Sequence, residues 1–82
     1  MKTGKLGICE SDSSRYAIGI ESHGRFFEYD LHCGDCFEIQ TEFGKWLPVR
    51  IEMDQHDVWY LIDDQGKRHD IPWRAVSARI DL

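Results

Sequence analysis

The sequence predicts an all-β fold, either a small SH3-like barrel or a strongly bent antiparallel sheet of five to seven short strands. Apolar and polar residues alternate with a period of two in several segments of strand length. Turn-forming residues recur about every 8–12 positions, and no segment has the period of an amphipathic helix. At most one helical turn is expected, near Arg74. The 82 residues are the size of a single domain, spanning residues 1–82.

The N-terminal half is expected to supply four strands, at residues 5–10, 15–22, 25–29 and 36–41. The second is the clearest, because Tyr16, Ile18 and Ile20 alternate with polar or small residues. His23-Gly24 has the composition of a tight turn that would join the second strand to the third. These segments are therefore predicted to be half-buried strands that cover one small core.

Residues 45–62 are expected to form the central hairpin, with residues 54–57 as its loop. A loop of this length places Met53 opposite Val58, which separates the hairpin into two faces. The predicted core face carries Val49, Ile51, Met53, Val58, Tyr60 and Ile62. The opposite face carries Trp46, Pro48, Arg50, Glu52, Trp59 and Leu61. A solvated face does not normally hold two tryptophans, so either it binds a partner or another segment covers it, such as residues 71–73 or an N-terminal strand.

The C-terminal part is less regular than the rest. Residues 63–66 form a strong turn signal, and Pro72 excludes a central strand at residues 71–73 because proline has no N–H to donate. Residues 76–82 alternate again and are expected to form a closing strand.

The charge of the chain is acidic but uneven. The net charge of -5 argues against non-specific binding to nucleic acid or to anionic membranes. Residues 66–80 nevertheless carry four cations against Asp70 alone: Lys67, Arg68, Arg74 and Arg79. With Trp73 as a stacking platform, this basic segment supports an alternative function, the binding of nucleic acid.

Three cysteines cannot all pair within one chain, and no run is long enough to span a membrane, so a cytoplasmic protein with reduced thiols is expected. Cys33 and Cys36 form a CxxC motif. A zinc-stabilised domain, with Cys9 as a third ligand, and a redox pair are the alternatives to a plain structural bend at Gly34. Neither a second metal-ligand pair nor a helix after the motif is present. No metal and no other cofactor are therefore expected.

No arrangement typical of an enzyme occurs in the sequence. The histidines lack metal-ligand spacing, the serines lack an identifiable base, and the glycines do not form a phosphate loop. The chain is also too short to offer much of a cleft for a carboxylate with a shifted pKa. A non-catalytic protein is expected.

The central part carries several short motifs: Leu31-His32-Cys33-Gly34-Asp35, Trp46, Arg50-Ile51-Glu52 and Trp59-Tyr60-Leu61. In these motifs the chain resembles DUF5348, a small bacterial family of unknown function. The resemblance implies a compact bacterial domain without an assigned activity, and it implies no catalytic residues.

The function that the sequence favours is the binding of a protein or peptide through the aromatic face of the central hairpin. The residues expected to contact the partner are Trp46, Pro48, Arg50, Trp59, Leu61 and Trp73. A homodimer formed through an edge strand or through the same aromatic face is compatible with this function.

Overall fold

The computed structural model describes residues 1–82 as one antiparallel β-sheet with no helix. Its eight strands are β1 (Lys2–Ile8), β2 (Tyr16–Ser22), β3 (Arg25–Asp30), β4 (Cys36–Gln40), β5 (Trp46–Met53), β6 (Trp59–Asp63), β7 (Arg68–Asp70) and β8 (Val76–Ile80). The all-β antiparallel prediction is confirmed, whereas the predicted count of five to seven strands is too low. Since the structure contains no helix, it offers no helical segment that could span a membrane.

The strands are arranged in the order β3-β2-β1-β8-β4-β5-β6-β7. The outermost strands, β3 and β7, do not pair with each other, so the sheet is open and the SH3-like barrel is not confirmed. The sheet bends over a single core of eleven buried residues, which come from six of the strands and from Leu31. Within this core Ile18, Ile51 and Leu61 are fully buried. Strands distant in the sheet thus share one apolar interior.

Three successive hairpins, from β4 to β7, use the same kind of turn. In each, a main-chain N–H donates to the carbonyl oxygen four residues later, in the pairs Thr41–Lys45, Asp54–Val58 and Asp63–Lys67. The residue before the second member of each pair has a positive φ: 79° at Gly44, 61° at Asp57 and 80° at Gly66. This is the three-residue hairpin loop that ends in a left-handed residue. Glycine or aspartate at that position tolerates the conformation.

This turn corrects the predicted register of the central hairpin. Asp54 pairs with Val58, so the loop comprises residues 55–57, and Met53 lies opposite Trp59 instead of Val58. Because side chains alternate along a strand, a shift of one residue exchanges the two faces of β6. Leu61, predicted on the outer face, is fully buried opposite Ile51. Ile62, predicted in the core, lies on the outer face opposite Arg50.

Two smaller predictions near the C-terminus are also wrong. Strand β7 was not expected, because Arg68, His69 and Asp70 have no apolar alternation. The turn at Asp63 and the ladder with β6 place them in the sheet. The helical turn expected near Arg74 is a bend at residues 73–74. An isolated helical turn is unfavourable, because it forms few hydrogen bonds and these do not compensate the backbone entropy that is lost.

The carboxylate of Asp54 stabilises its turn and is expected to make the fold acid-sensitive. Hydrogen bonds to its carboxylate lower the pKa of Asp54 below its ordinary value. The largest effect comes from the side chain of Arg68, and the main-chain N–H groups of Val58 and His56 contribute the rest. A carboxyl whose pKa is lower in the folded than in the unfolded chain stabilises the fold above about pH 4. That stabilisation is lost as the pH falls through the folded-state pKa.

We therefore expect that Asp54→Asn makes the free energy of unfolding fall less steeply between neutral and acidic pH than in the natural protein. Urea denaturation at a series of pH values measures this slope. Asp57→Asn is the matched control, since it removes one charge from the same turn and asparagine also tolerates the positive φ of Asp57. An equal change of slope in both variants would contradict the assignment to Asp54.

Candidate functional site

The face of β4, β5 and β6 that points away from the core is here called the outer face. Its residues are Cys36, Glu38, Gln40, Trp46, Pro48, Arg50, Glu52, Tyr60 and Ile62. An open groove of about 610 Å³ runs across it. The exposed Pro48 and the half-buried Ile62 supply apolar surface to this groove, and Glu38, Arg50 and Asp64 supply charge. The register correction brings Ile62 to this site, and the predicted register would have buried it.

A cation stacked on an aromatic ring lies on either side of the groove. The guanidinium of Arg79 is 4.2 Å from the ring centre of Trp46, and that of Arg68 is 4.1 Å from the ring centre of Tyr60. Both arginines also pair with carboxylates. Arg79 Nε donates to Glu38 Oε1 over 2.6 Å, and Arg68 Nη2 donates to Asp54 Oδ2 over 3.0 Å. Each arginine thus contacts a ring and a carboxylate at once, and the two pairs compensate part of the surrounding negative charge.

Three of the six predicted partner-binding residues lie on the outer face: Trp46, Pro48 and Arg50. Trp59 and Leu61 lie on the core side, where Trp59 is half-buried against the core and Leu61 belongs to it. The indole Nε1 of Trp59 donates to the carbonyl oxygen of Ser14 over 2.8 Å, so the turn after β1 covers this ring. Trp73 lies in the connection between β7 and β8 and is 86% exposed.

The segment of residues 71–73 does not cover the outer face. Ile71 packs against the core from the opposite side of the sheet, while Trp73 points into solvent beneath the guanidinium of Arg74. The alternative that the hairpin's aromatic face is closed by this segment is therefore wrong. Pro48 and Arg50 remain exposed at the centre of the groove.

The four cations of the predicted nucleic-acid site do not form one free surface. Arg79 is paired with Glu38 on the outer face, and Arg68 is paired with Asp54 at the turn between β5 and β6. Arg74 stacks on Trp73 at 4.6 Å in the connection before β8, and Lys67 lies in the exposed turn between β6 and β7. Two of the four positive charges are thus already compensated within the chain.

The three cysteines are not brought together. Cys33 lies in the bend before β4, and Cys36 is the first residue of that strand; both are exposed. In the bend, Gly34 has a φ of 92° and the carboxylate of Asp35 accepts the N–H of His32. Cys9 is buried elsewhere, next to Glu28 and Asp30. The sulfur of Cys9 lies 3.3 Å from Asp30 Oδ1. The cysteine trio considered for zinc is therefore not assembled.

Some residues of the outer face could not be predicted from strand alternation alone. Tyr60 and Ile62 were assigned to the core, and the proximity of Arg79 to Trp46 depends on the long-range pairing of β8 with β4. The first error follows from the length of one turn. Asp57 stands at the same place in its turn as Gly44 and Gly66 in theirs, which indicates the same three-residue loop.

Comparison with known proteins gives a family and a related structure. The family described as a domain of unknown function, DUF5348, matches residues 7–80. This match extends well beyond the central motifs and includes residues 71–73. A crystal structure of a protein from Ruminococcus gnavus, from the Northeast Structural Genomics Consortium, is 33% identical and has a TM-score of 0.65. It covers 96% of this chain and 100% of its own. No curated protein matches. The chain therefore belongs to the DUF5348 family of domains of unknown function.

Proposed function

We propose that this domain is a non-catalytic cytoplasmic interaction module, and that the groove on its outer face binds a short extended peptide segment of a partner protein. The observation that carries the proposal is the open groove across β4, β5 and β6, where Pro48 and Ile62 offer apolar surface between two aromatic rings. Its volume of about 610 Å³ lies in the usual range of binding sites, roughly 300–1,000 Å³. Two exposed thiols, Cys33 and Cys36, suit a reducing compartment.

The charge around the groove selects the kind of peptide. Four carboxylate residues line it, Glu38, Asp63, Asp64 and Asp81, against two cations, Arg50 and the amino terminus of Met1. Glu38 and Asp63 are held by Arg79 and His69, and Asp81 lies 3.8 Å from the amino terminus of Met1. The carboxylate of Asp64 remains exposed at the groove. Together with the net charge of -5, this favours a segment with lysine or arginine beside an apolar residue. The apolar side chain would pack on Pro48 and Ile62.

Peptides selected from a random displayed library against the purified domain test this proposal. We expect the selected sequences to combine basic and apolar residues. Titration of one such peptide should shift the backbone NMR signals of residues 36–38, 48–50 and 62–64. Ile62→Lys should weaken binding by at least about tenfold, a loss of about 1.4 kcal/mol, because it removes apolar contact and repels the cationic peptide.

Val58→Lys is the matched control, because Val58 is an exposed apolar residue of the same hairpin but lies in the turn region outside the groove. It should leave the affinity unchanged. The proposal fails if the shifted signals lie elsewhere, or if both lysine variants weaken binding equally. Selection of acidic peptides, or failure to select any peptide, would also contradict it.

A further inference from the structure

The two edges of the sheet differ in how well they are protected against pairing with another strand. Strand β7 has only three residues, all of them polar, and Pro72 follows it closely. Short length, charge and proline are the usual devices that prevent edge pairing. Strand β3 has six residues, Arg25–Asp30, without proline or a residue of positive φ. Phe26 is 59% exposed and Phe27 is 42% exposed, on opposite faces of this edge. The edge at β3 carries charges at Arg25, Glu28 and Asp30, but it is long, apolar at its centre and free of the other protecting devices.

The hydrogen-bonding pattern shows which main-chain groups of β3 are free. The turn at His23 and Gly24 has positive φ at both residues, so Ser22 and Arg25 form the hydrogen-bonded pair that closes it. At the other end, the N–H of Leu31 donates to the carbonyl oxygen of Tyr16. Odd-numbered residues therefore bond to β2, since the bonding direction alternates along the strand. The N–H and C=O groups of Phe26 and Glu28 point away from the sheet.

We propose that the free edge of β3 pairs with β3 of a second copy of this chain, in an antiparallel register centred on Phe27. In this register Phe26 of each copy forms a hydrogen-bonded pair with Glu28 of the other. The two Phe27 side chains then lie opposite each other, and each Arg25 lies opposite a Tyr29. An aromatic pair and two arginine–tyrosine contacts would result on the core side of the joined sheet. The contact is closed by a two-fold axis, as in most homodimers.

The charges of β3 favour this register over its neighbours. The two copies can form main-chain hydrogen bonds only in registers that place residues with free N–H and C=O groups opposite each other. Moving the two-fold axis from Phe27 to Glu28 would place two carboxylates directly opposite each other, which is destabilising. Moving it to Tyr29 would pair Glu28 with Asp30, again two acids. Moving the two-fold axis to Phe26 would leave fewer residues of the two β3 strands paired with each other. The register centred on Phe27 avoids acid pairs and keeps four main-chain hydrogen bonds.

Sedimentation velocity over a range of concentrations, with the full chain, tests the dimer. We expect a reversible dimer in the natural protein and at least about a tenfold weaker one in Phe27→Lys, which sets two lysines opposite each other. Phe43→Lys is the control, because Phe43 is exposed in the turn between β4 and β5, away from β3. A chain that stays monomeric, or a dimer that both variants weaken equally, overturns the proposal.

A cross-linking experiment tests the register and does not depend on the folding of the lysine variant. In a background with Cys33→Ser and Cys36→Ser, Phe27→Cys should form a disulfide-linked dimer, since non-hydrogen-bonded pairs bring opposite side chains close together. Glu28→Cys should cross-link much more slowly. Faster cross-linking through position 28, or no cross-link at position 27, overturns the register centred on Phe27.

Discussion

Replacing Leu61 with alanine is expected to lower the free energy of unfolding by about 3 kcal/mol, because the substitution leaves a cavity in a packed core. Leu61 is fully buried opposite Ile51, at the centre of the single cluster that joins both halves of the sheet. A domain of this size has roughly 5–10 kcal/mol of stability in total. Urea denaturation should show a much lower midpoint with an unchanged slope.

Ile62→Ala is the matched control for this prediction, since it shortens the neighbouring residue on the outer face. We expect it to cost about 1 kcal/mol or less, because Ile62 is only half-buried. The pair also tests the register of the central hairpin. A four-residue loop would bury Ile62 and expose Leu61, and the sizes of the two effects would then be reversed. That reversal would refute the three-residue loop at residues 55–57.

Gly4→Ala is expected to destabilise the fold by about 2–3 kcal/mol through a steric clash between the neighbouring strands β1 and β2. A methyl group on Gly4 would collide with the carbonyl oxygen of Gly19, and it would lie 3.1 Å from Cγ1 of Ile20. The carbonyl belongs to the backbone of β2, which is paired on both sides, so it cannot move aside as a flexible side chain would. Thermal unfolding followed by circular dichroism measures the loss.

Gly7→Ala, in the same strand, provides the control. Nothing lies within 4 Å of the position that its methyl group would occupy. Since alanine costs less conformational entropy than glycine on folding, this variant should be neutral or more stable by up to about 1 kcal/mol. Equal destabilisation by both substitutions would mean that β1 tolerates no side chain at either glycine, and the close approach to Gly19 would not be the cause.

Local pattern was sufficient for much of the fold. The alternation around Ile18 and the turn at His23-Gly24 predicted β2, β3 and their connection, and the segment with Phe37 and Ile39 predicted β4. These elements are readable because each strand buries one face and because turn residues have specific conformational preferences. For the candidate site, the same reasoning placed Trp46, Pro48 and Arg50 together on one face of β5.

The part of the site on β6 could not be predicted, because it depends on whether the loop between β5 and β6 has three or four residues. The residues between Met53 and Trp59 fit either loop length by composition, but only the positive φ of Asp57 and the pairing of Asp54 with Val58 select the shorter loop. Since side chains alternate with a period of two, this choice exchanges the faces of Leu61 and Ile62. A sequence pattern that is apolar on both faces of a strand cannot make that choice.

The sequence by itself therefore determined an antiparallel β domain, its main strands and the face of β5 that meets solvent. Tertiary structure decided the pairing of β8 with β1 and β4, the inclusion of β7, and which edges of the sheet stay open. It also placed Arg79 over Trp46 and the turn containing Ser14 over Trp59. These contacts join residues far apart in the chain. Their partners are set by the shape of the shared core, which no local periodicity encodes.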